Sequence, residues 1–202
     1  MDPSPEIFRL LDLMPASGRM LCKIVNKPQQ STAIESSFPL PWARERPIYI
    51  NFDLWRKLSR PQRDLLLLRT VSWLLGVKWF KPDLYQGVVI AGLLGTLVEL
   101  VEGDAVGVVT AGGLTALAGV QIWRSTHRSD REIEADQSAI QIALRRGYNE
   151  PDAARHLLSA IETVATLEGR PGLDFMELIR IQNLRAIAGL SAVGIPEDGI
   201  RE

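Results

Sequence analysis

Cysteine and histidine are scarce in this sequence. The 202 residues include one cysteine, Cys22, and two histidines, His127 and His156. A single cysteine excludes a disulfide within the chain and suits a reducing compartment. We interpret Cys22 as a small buried apolar residue, with a reactive or ligand role as the alternative. Two histidines are few for a zinc enzyme, which usually binds its metal through two or three of them.

An excess of charge of one sign is also missing, as are the glycine patterns of several enzyme classes. The formal net charge is −1, so no overall field attracts the chain to nucleic acid, and we expect no such partner. The sequence has no G-x-S-x-G elbow, no phosphate loop and no dinucleotide-binding glycine pattern. We expect no secretory signal, because MDPSPEIFRLLDLMP lacks a basic region followed by an apolar one.

The N-terminal part of the sequence predicts a short helix and two strands, followed by a longer helix. The short helix is expected over Pro5–Met14, and the strands over Arg19–Val25 and Pro47–Phe52. The segment between the strands, Asn26–Arg46, has the composition of a loop. Ser59 is typical of a residue that precedes a helix, so the longer helix is expected to begin after it.

The C-terminal part of the sequence predicts further helices. One is expected from Asn149 to about Leu167, and the turn Glu168–Gly172 follows it. Asp174 and Glu177 have the spacing of a capping box that opens another helix. We therefore predict a mainly α fold with a small β element, of the α+β class.

The most apolar part of the sequence lies between residues 84 and 123. Gly87–Val101 and Ala105–Trp123 are apolar runs of 15 and 19 residues, compared with about 20 for a helix that crosses a bilayer. Small residues recur in both runs at a spacing that lets two helices pack closely in lipid: Gly87, Ala91, Gly95, Gly107, Ala111, Thr115 and Gly119. We predict a transmembrane hairpin, Leu84–Trp123, with a buried hairpin in a soluble protein as the alternative.

The charges that flank this hairpin differ from those in its turn. Basic residues precede and follow the hairpin, whereas its turn, Glu102–Asp104, carries only acids. The positive-inside rule then places both termini on the cytoplasmic or stromal side, and the lipid bilayer is an expected partner. We divide the chain into residues 1–83, the hairpin 84–123, and residues 124–202, with the first and third parts forming one body.

The stretch His127–Pro151 places two acids on one face of a helix. Glu132 and Asp136 are four residues apart, and like charges at that spacing repel each other. The pair would therefore be stabilised by a cation. A structural interpretation stays open beside this one, because Ser129 and Glu132 fit a capping box and Arg145–Gly147 fits a helix end.

The motif REIEAD, residues 131–136, resembles the second metal motif of membrane-bound zinc metallopeptidases of the HtpX and CAAX-endopeptidase type. In that family the glutamate of E-x-x-x-D binds zinc, which implies Glu132 as the ligand position and Asp136 as a supporting acid. The segment PIYINFDLWRKLSRPQRDLLLLRTVSWLLG resembles the region that carries the first motif, H-E-x-x-H. Here Arg69, Thr70 and Trp73 take the places of His, Glu and His. The resemblance thus implies a peptidase-like helical body, with an inserted apolar hairpin, that has lost its first motif.

The surviving acids suggest an ion-pair core instead of a metal site. Zinc catalysis needs three protein ligands and an open position, whereas a guanidinium fits a carboxylate directly. We predict that Arg69 pairs with Glu132, with Asp136 close behind, and that the chain has no metal, no cofactor and no catalytic residue. The alternative is an active zinc peptidase with relocated ligands, drawn from His127, Glu132, Asp136 and His156.

A second resemblance covers nearly the whole chain. LMPASGRM, RPIYINF, QRDLLLLR, REIEAD and ELIRIQNLRAIAGLS resemble a family of unknown function from cyanobacteria, with chloroplast relatives. This resemblance implies an oxygenic phototroph and a thylakoid or plasma membrane. The sequence as a whole predicts a non-catalytic membrane scaffold, adaptor or assembly and maintenance factor for a membrane complex, with a photosynthetic complex as a candidate. A soluble interaction protein is a further alternative, and a homo-oligomer is left open.

Overall fold

The structure, a computed structural model, describes residues 3–39, 43, 45–76 and 130–190. The described residues 3–76 and 132–190 belong to one compact unit. This unit is mainly helical with one three-stranded sheet, in agreement with the predicted α+β class. The predicted hairpin Leu84–Trp123, with its small residues from Gly87 to Gly119, and the predicted segment boundaries beside it lie outside the described residues.

Among the described residues, three short helices come first in the chain and four longer helices follow. The helices in chain order are α1 (Ser4–Leu13), α2 (Ala16–Leu21), α3 (Phe52–Trp55), α4 (Arg60–Gly76), α5 (130–144), α6 (Glu150–Leu167) and α7 (Phe175–Ile187). The strands are β1 (Cys22–Asn26), β2 (Ile34–Ser36) and β3 (Arg46–Ile50). Among the described residues, no helix combines the length and the apolar character needed to cross a membrane.

The first three residues of the strand predicted over Arg19–Val25 belong instead to helix α2. The chain stays helical to Leu21, and β1 begins only at Cys22. The alternation of apolar residues was misleading, because Met20 is 83% exposed. The buried position of α2 is Gly18, where an added Cβ would lie 2.8 Å from a side-chain atom of Val71 on α4. A glycine at this point lets the backbone of α2 pack directly against α4.

The sheet has the order β1-β3-β2. β1 pairs with β3 in parallel, with Ile24 opposite Ile48, and β2 pairs with β3 in the antiparallel direction, with Ile34 opposite Ile50. β2 lies within Asn26–Arg46, so the prediction of a loop throughout that segment was wrong. A strand of three residues is too short to show a sequence pattern of its own, and its pairing with β3 establishes it.

The third strand is shorter than predicted, because a polar side chain ends it. β3 stops at Ile50, whereas the sequence predicted a strand that reaches Phe52. The Asn51 side chain accepts hydrogen bonds from the backbone N–H groups of Asp53 (3.0 Å) and Leu54 (3.4 Å). Asn51 therefore caps α3, and the chain turns from strand to helix at this residue.

The core lies where α4 packs against α6 and α6 packs against α7. The block of leucines predicted to be helical supplies Leu65, Leu67 and Leu68 of α4, all fully buried. Helix α6 matches the helix predicted from Asn149 to Leu167, and the Asn149 side chain accepts a hydrogen bond from the N–H of Asp152 at 2.8 Å. Because α4 and α6 bury apolar side chains against each other, α4 lies beside the C-terminal part of the chain.

Two further local predictions are confirmed. Asp174 accepts the N–H of Glu177 at 2.7 Å, and Glu177 accepts the N–H of Asp174 at 3.0 Å, which completes the capping box of α7. Gly147 and Gly169, with φ of 94° and 67°, adopt the left-handed conformation after α5 and α6. Glycine is favoured there because a Cβ is strained at positive φ.

Candidate functional site

Arg69 is at the centre of a cluster of charged residues between helices. It lies on α4 one turn after the buried Leu65, and its side chain is 20% exposed. Its Nη2 forms an ion pair with Oε2 of Glu132, and its Nε lies 3.6 Å from Oδ1 of Asp136. The structure thus brings together the three charged residues that the sequence singled out.

Asp136 is the most deeply buried member of the cluster, and its main partner is Arg180 of α7. Nε of Arg180 donates to Oδ2 of Asp136 at 2.8 Å, and Nη2 donates to Oδ1 at 2.8 Å. The side chain of Asp136 is 0% exposed and that of Arg180 is 9% exposed. The two planar groups therefore form a bidentate pair, the geometry in which a guanidinium binds a carboxylate most strongly.

Arg180 was missed in the sequence analysis, although a signal for it exists. It belongs to a set of residues of α7 that are buried at helical spacing, with Ile181 and Leu184. A charged residue within the apolar face of a helix needs a partner, because an unpaired charge in the interior is very unfavourable. That spacing could have identified Arg180 as the second cation.

Within the described residues, the direct ion pairs of the cluster join two positive and two negative groups. Two guanidiniums, those of Arg69 and Arg180, face two carboxylates, those of Glu132 and Asp136. Burial lowers the pKa of Arg69 to about 10, and the positive charge of Arg180 acts in the same direction, while Asp136 opposes them. Arg69 still carries its proton at neutral pH, so the cluster remains ionic there.

A second ion-pair group extends from the start of α7 to the sheet. Arg170 donates to both carboxylate oxygens of Glu177 at 2.8 Å, and its Nε lies 3.1 Å from Oε2 of Glu168. The other oxygen of Glu168 accepts the N–H of Ala33 at 2.8 Å. Burial by itself would raise the pKa of Glu177, but the hydrogen bonds from Arg170 and from the Asp174 backbone bring that pKa below its ordinary value.

Thr70 and Trp73, the other two residues at the positions of the first peptidase motif, make structural contacts. The Thr70 hydroxyl donates to the carbonyl oxygen of Leu66 at 2.9 Å, within α4. The Trp73 ring packs edge to face against Phe38, with 6.0 Å between the ring centres. The contacts of Thr70 and Trp73 are therefore with residues other than the carboxylates of the cluster.

The histidines of the relocated-ligand alternative give no metal site within the described residues. His156 lies on α6 with its ring edge to face against Tyr148, at 6.3 Å between ring centres. His127 and Ser129 lie outside the described residues. In the part of the chain that the structure describes, no group of three or more histidine, cysteine, aspartate or glutamate side chains is arranged to hold a metal ion.

Comparison with known families identifies the chain at the level of a family. Residues 8–148 match the DUF3318 family, which is described as a protein of unknown function. The chain belongs to this family. The matched range includes Arg69, Glu132 and Asp136 and ends before Arg180. Three of the four residues of the ion-pair cluster therefore lie within the range that matches the family.

One relative of the chain is named for the membrane in which it lies. A protein named thylakoid membrane protein slr1949, from Synechocystis sp., is 30% identical over 123 residues, which are 59% of this chain and 58% of the relative. The chain thus spans less than two thirds of that relative's length. No solved structure matches the chain. These findings agree with the resemblance to a cyanobacterial family, and they give no support to the resemblance to metallopeptidases.

Proposed function

We propose that this chain is a membrane-associated protein that acts by binding, as a scaffold, adaptor or assembly factor for a membrane protein complex. Its similarity to a protein named for the thylakoid membrane supports the location. The apolar runs Gly87–Val101 and Ala105–Trp123, of 15 and 19 residues, support attachment to a bilayer. The proposal includes both termini on the cytoplasmic or stromal side.

One observation carries the non-catalytic part of the proposal: arginines already bind both acids of the E-x-x-x-D motif. Both oxygens of Asp136 accept hydrogen bonds from Arg180 at 2.8 Å, and Glu132 pairs with Arg69. A carboxylate that binds a metal must direct an oxygen lone pair at the ion. The two guanidiniums already bind these carboxylates, and their positive charges would repel a divalent cation. The cluster therefore favours a structural role, in which ion pairs hold α4, α5 and α7 together.

If the ion-pair cluster is structural, the protein acts by binding partners at its surface while it is attached to the membrane. The ion pairs join a helix from each side of the apolar runs, since α4 precedes them and α5 follows them. This arrangement would keep the two ends of an apolar hairpin close together on one side of a bilayer. A compact body with that attachment suits a protein that holds partners at a membrane.

Affinity purification in mild detergent tests the proposal. The tagged full chain is isolated from membranes of its source cells, with an unrelated tagged membrane protein as the control. We expect membrane proteins to co-purify in a fixed ratio with the chain and not with the control. The proposal would be contradicted by a chain that purifies alone and cleaves peptides in a metal-dependent reaction that Glu132→Gln abolishes.

A further inference from the structure

An open cavity of about 440 Å³ lies on a different part of the unit from the ion-pair cluster. Three segments form its walls: α1, the first turns of α4, and the turn that follows α5. Most of its lining residues have polar side chains, and three of them are arginines. The lining residues are Arg9, Asp12, Leu13, Arg60, Asp64, Arg146, Gly147 and Tyr148.

The inner wall of the cavity is fixed by internal contacts. Arg9 donates to Oδ1 of Asp64 at 2.5 Å, and the Tyr148 hydroxyl donates to Oδ2 of the same carboxylate at 2.9 Å. Glu6 holds the other side of the Arg9 guanidinium through two hydrogen bonds of 2.9 and 2.8 Å. Burial, followed by the hydrogen bond to Asp64, raises the pKa of Tyr148 to about 12. Tyr148 thus stays protonated, and its hydroxyl oxygen is left as an acceptor for a ligand.

Two other arginines line the cavity, Arg60 and Arg146. Arg60 and Arg146 are exposed, and neither forms an ion pair with a carboxylate of the described residues. Arg146 donates one hydrogen bond within the described residues, from Nη2 to the carbonyl oxygen of Met14 at 3.2 Å. A guanidinium has five N–H donors in a planar fork, so most donors of both residues have no partner in the described part of the chain and could bind a ligand.

We propose that this cavity binds an anion of the phosphate-ester class that also carries hydroxyl groups. The two forked guanidiniums of Arg60 and Arg146 match the oxygens of a phosphate, which arginine binds in a bidentate manner. Asp12, which also lines the cavity, has no ion-pair partner among the described residues, and it accepts hydrogen bonds from hydroxyl groups next to the phosphate. The ligand is either a free phosphate ester or the headgroup of a lipid, and this site is independent of the function proposed above.

Isothermal titration of the full chain in mild detergent at low salt tests the site. Glycerol 3-phosphate is the free probe, and dihexanoyl phosphatidylglycerol is the lipid probe, with dihexanoyl phosphatidylcholine as its neutral counterpart. We expect saturable binding of at least one of the first two probes. Saturation by glycerol 3-phosphate assigns a free phosphate ester, and saturation by phosphatidylglycerol alone assigns a lipid headgroup.

Three single variants locate the binding. Arg60→Gln and Arg146→Gln should each weaken binding about tenfold, because each removes charge-assisted hydrogen bonds to the phosphate. Arg145→Gln is the matched control, since Arg145 is exposed and does not line the cavity, and it should retain the parent affinity. Arg60 makes no described contact that the fold needs, so its variant remains informative if Arg146→Gln fails to fold. Absence of saturable binding by both anionic probes, or an equal loss in Arg145→Gln, would overturn the proposal.

Discussion

Separation of Arg180 from Asp136 should destabilise the protein strongly, and removal of both should destabilise it much less. The Asp136 side chain is fully buried, and that of Arg180 is 9% exposed. Removal of one partner from a buried pair typically lowers the free energy of unfolding by ~3–5 kcal/mol, because the other charge is left without compensation. We therefore expect a loss of that size for Asp136→Asn and for Arg180→Met.

The double variant measures how much of each loss comes from the unpaired charge. In Asp136→Asn combined with Arg180→Met, neither of the two residues carries a charge, so much of the loss should be recovered. We expect a coupling energy of ~2–3 kcal/mol between the two sites. Recovery will not be complete, because Arg69 loses the nearby carboxylate that lies 3.6 Å from its Nε.

Urea unfolding of the full chain in mild detergent, followed by circular dichroism, provides the measurement. The control is an exposed pair between the neighbouring helices α6 and α7, Glu162 and Arg185, whose side chains are 47% and 56% exposed and 3.9 Å apart. Glu162→Gln and Arg185→Met should each change stability by ~0–1 kcal/mol. Additive losses at Asp136 and Arg180, or equal losses at the exposed pair, would refute the reasoning.

Two substitutions and a metal analysis provide further tests. Gly18→Ala should destabilise the protein by ~1–3 kcal/mol in thermal melts, since the new Cβ would lie 2.8 Å from the buried Val71. Gly172→Ala should have little effect, because its new Cβ would meet no atom within 4 Å beyond the adjacent residues. Glu177→Gln should destabilise the protein at neutral pH, because a carboxylate with a lowered folded pKa contributes stability above its ordinary value of 4.5. That difference should shrink as the pH falls below 4.5 and the folded carboxylate takes up a proton, whereas a difference that is constant from neutral to acidic pH in urea unfolding would count against it. Protein purified without chelator should contain no stoichiometric zinc; one zinc per chain, lost on Glu132→Gln, would reverse the interpretation of the cluster.

Local signals in the sequence predicted the C-terminal helices well. The Asn149 cap and the Asp174–Glu177 capping box act through hydrogen bonds over three residues, so the sequence alone contains both partners. The strand predicted over Arg19–Val25 was right from Cys22 onward and wrong over its first three residues, because alternation over a few residues also occurs in a short helix. In the structure Gly18 of α2 packs against Val71 of α4, and a local pattern cannot reveal a contact between residues so far apart in the chain.

The candidate site was predictable only in part, for a similar reason. The spacing of Glu132 and Asp136 indicated a need for positive charge, and Arg69 was found through the resemblance to a two-motif peptidase. Arg180 was missed because arginine is usually exposed, and its burial depends on the packing of α7 against the rest of the unit. Glu132 was predicted to be the main partner of the arginine. In the structure, Asp136 is the acid that is fully buried and bound at both oxygens.

Extraction of membranes tests the central claim most directly. Membranes that contain the full chain are washed with high salt and then with alkaline sodium carbonate, and the pellet and supernatant are probed for the chain. We expect the chain to stay in the pellet through both washes, as an integral membrane protein does. Release of most of the chain by either wash would contradict the proposed attachment through residues 84–123.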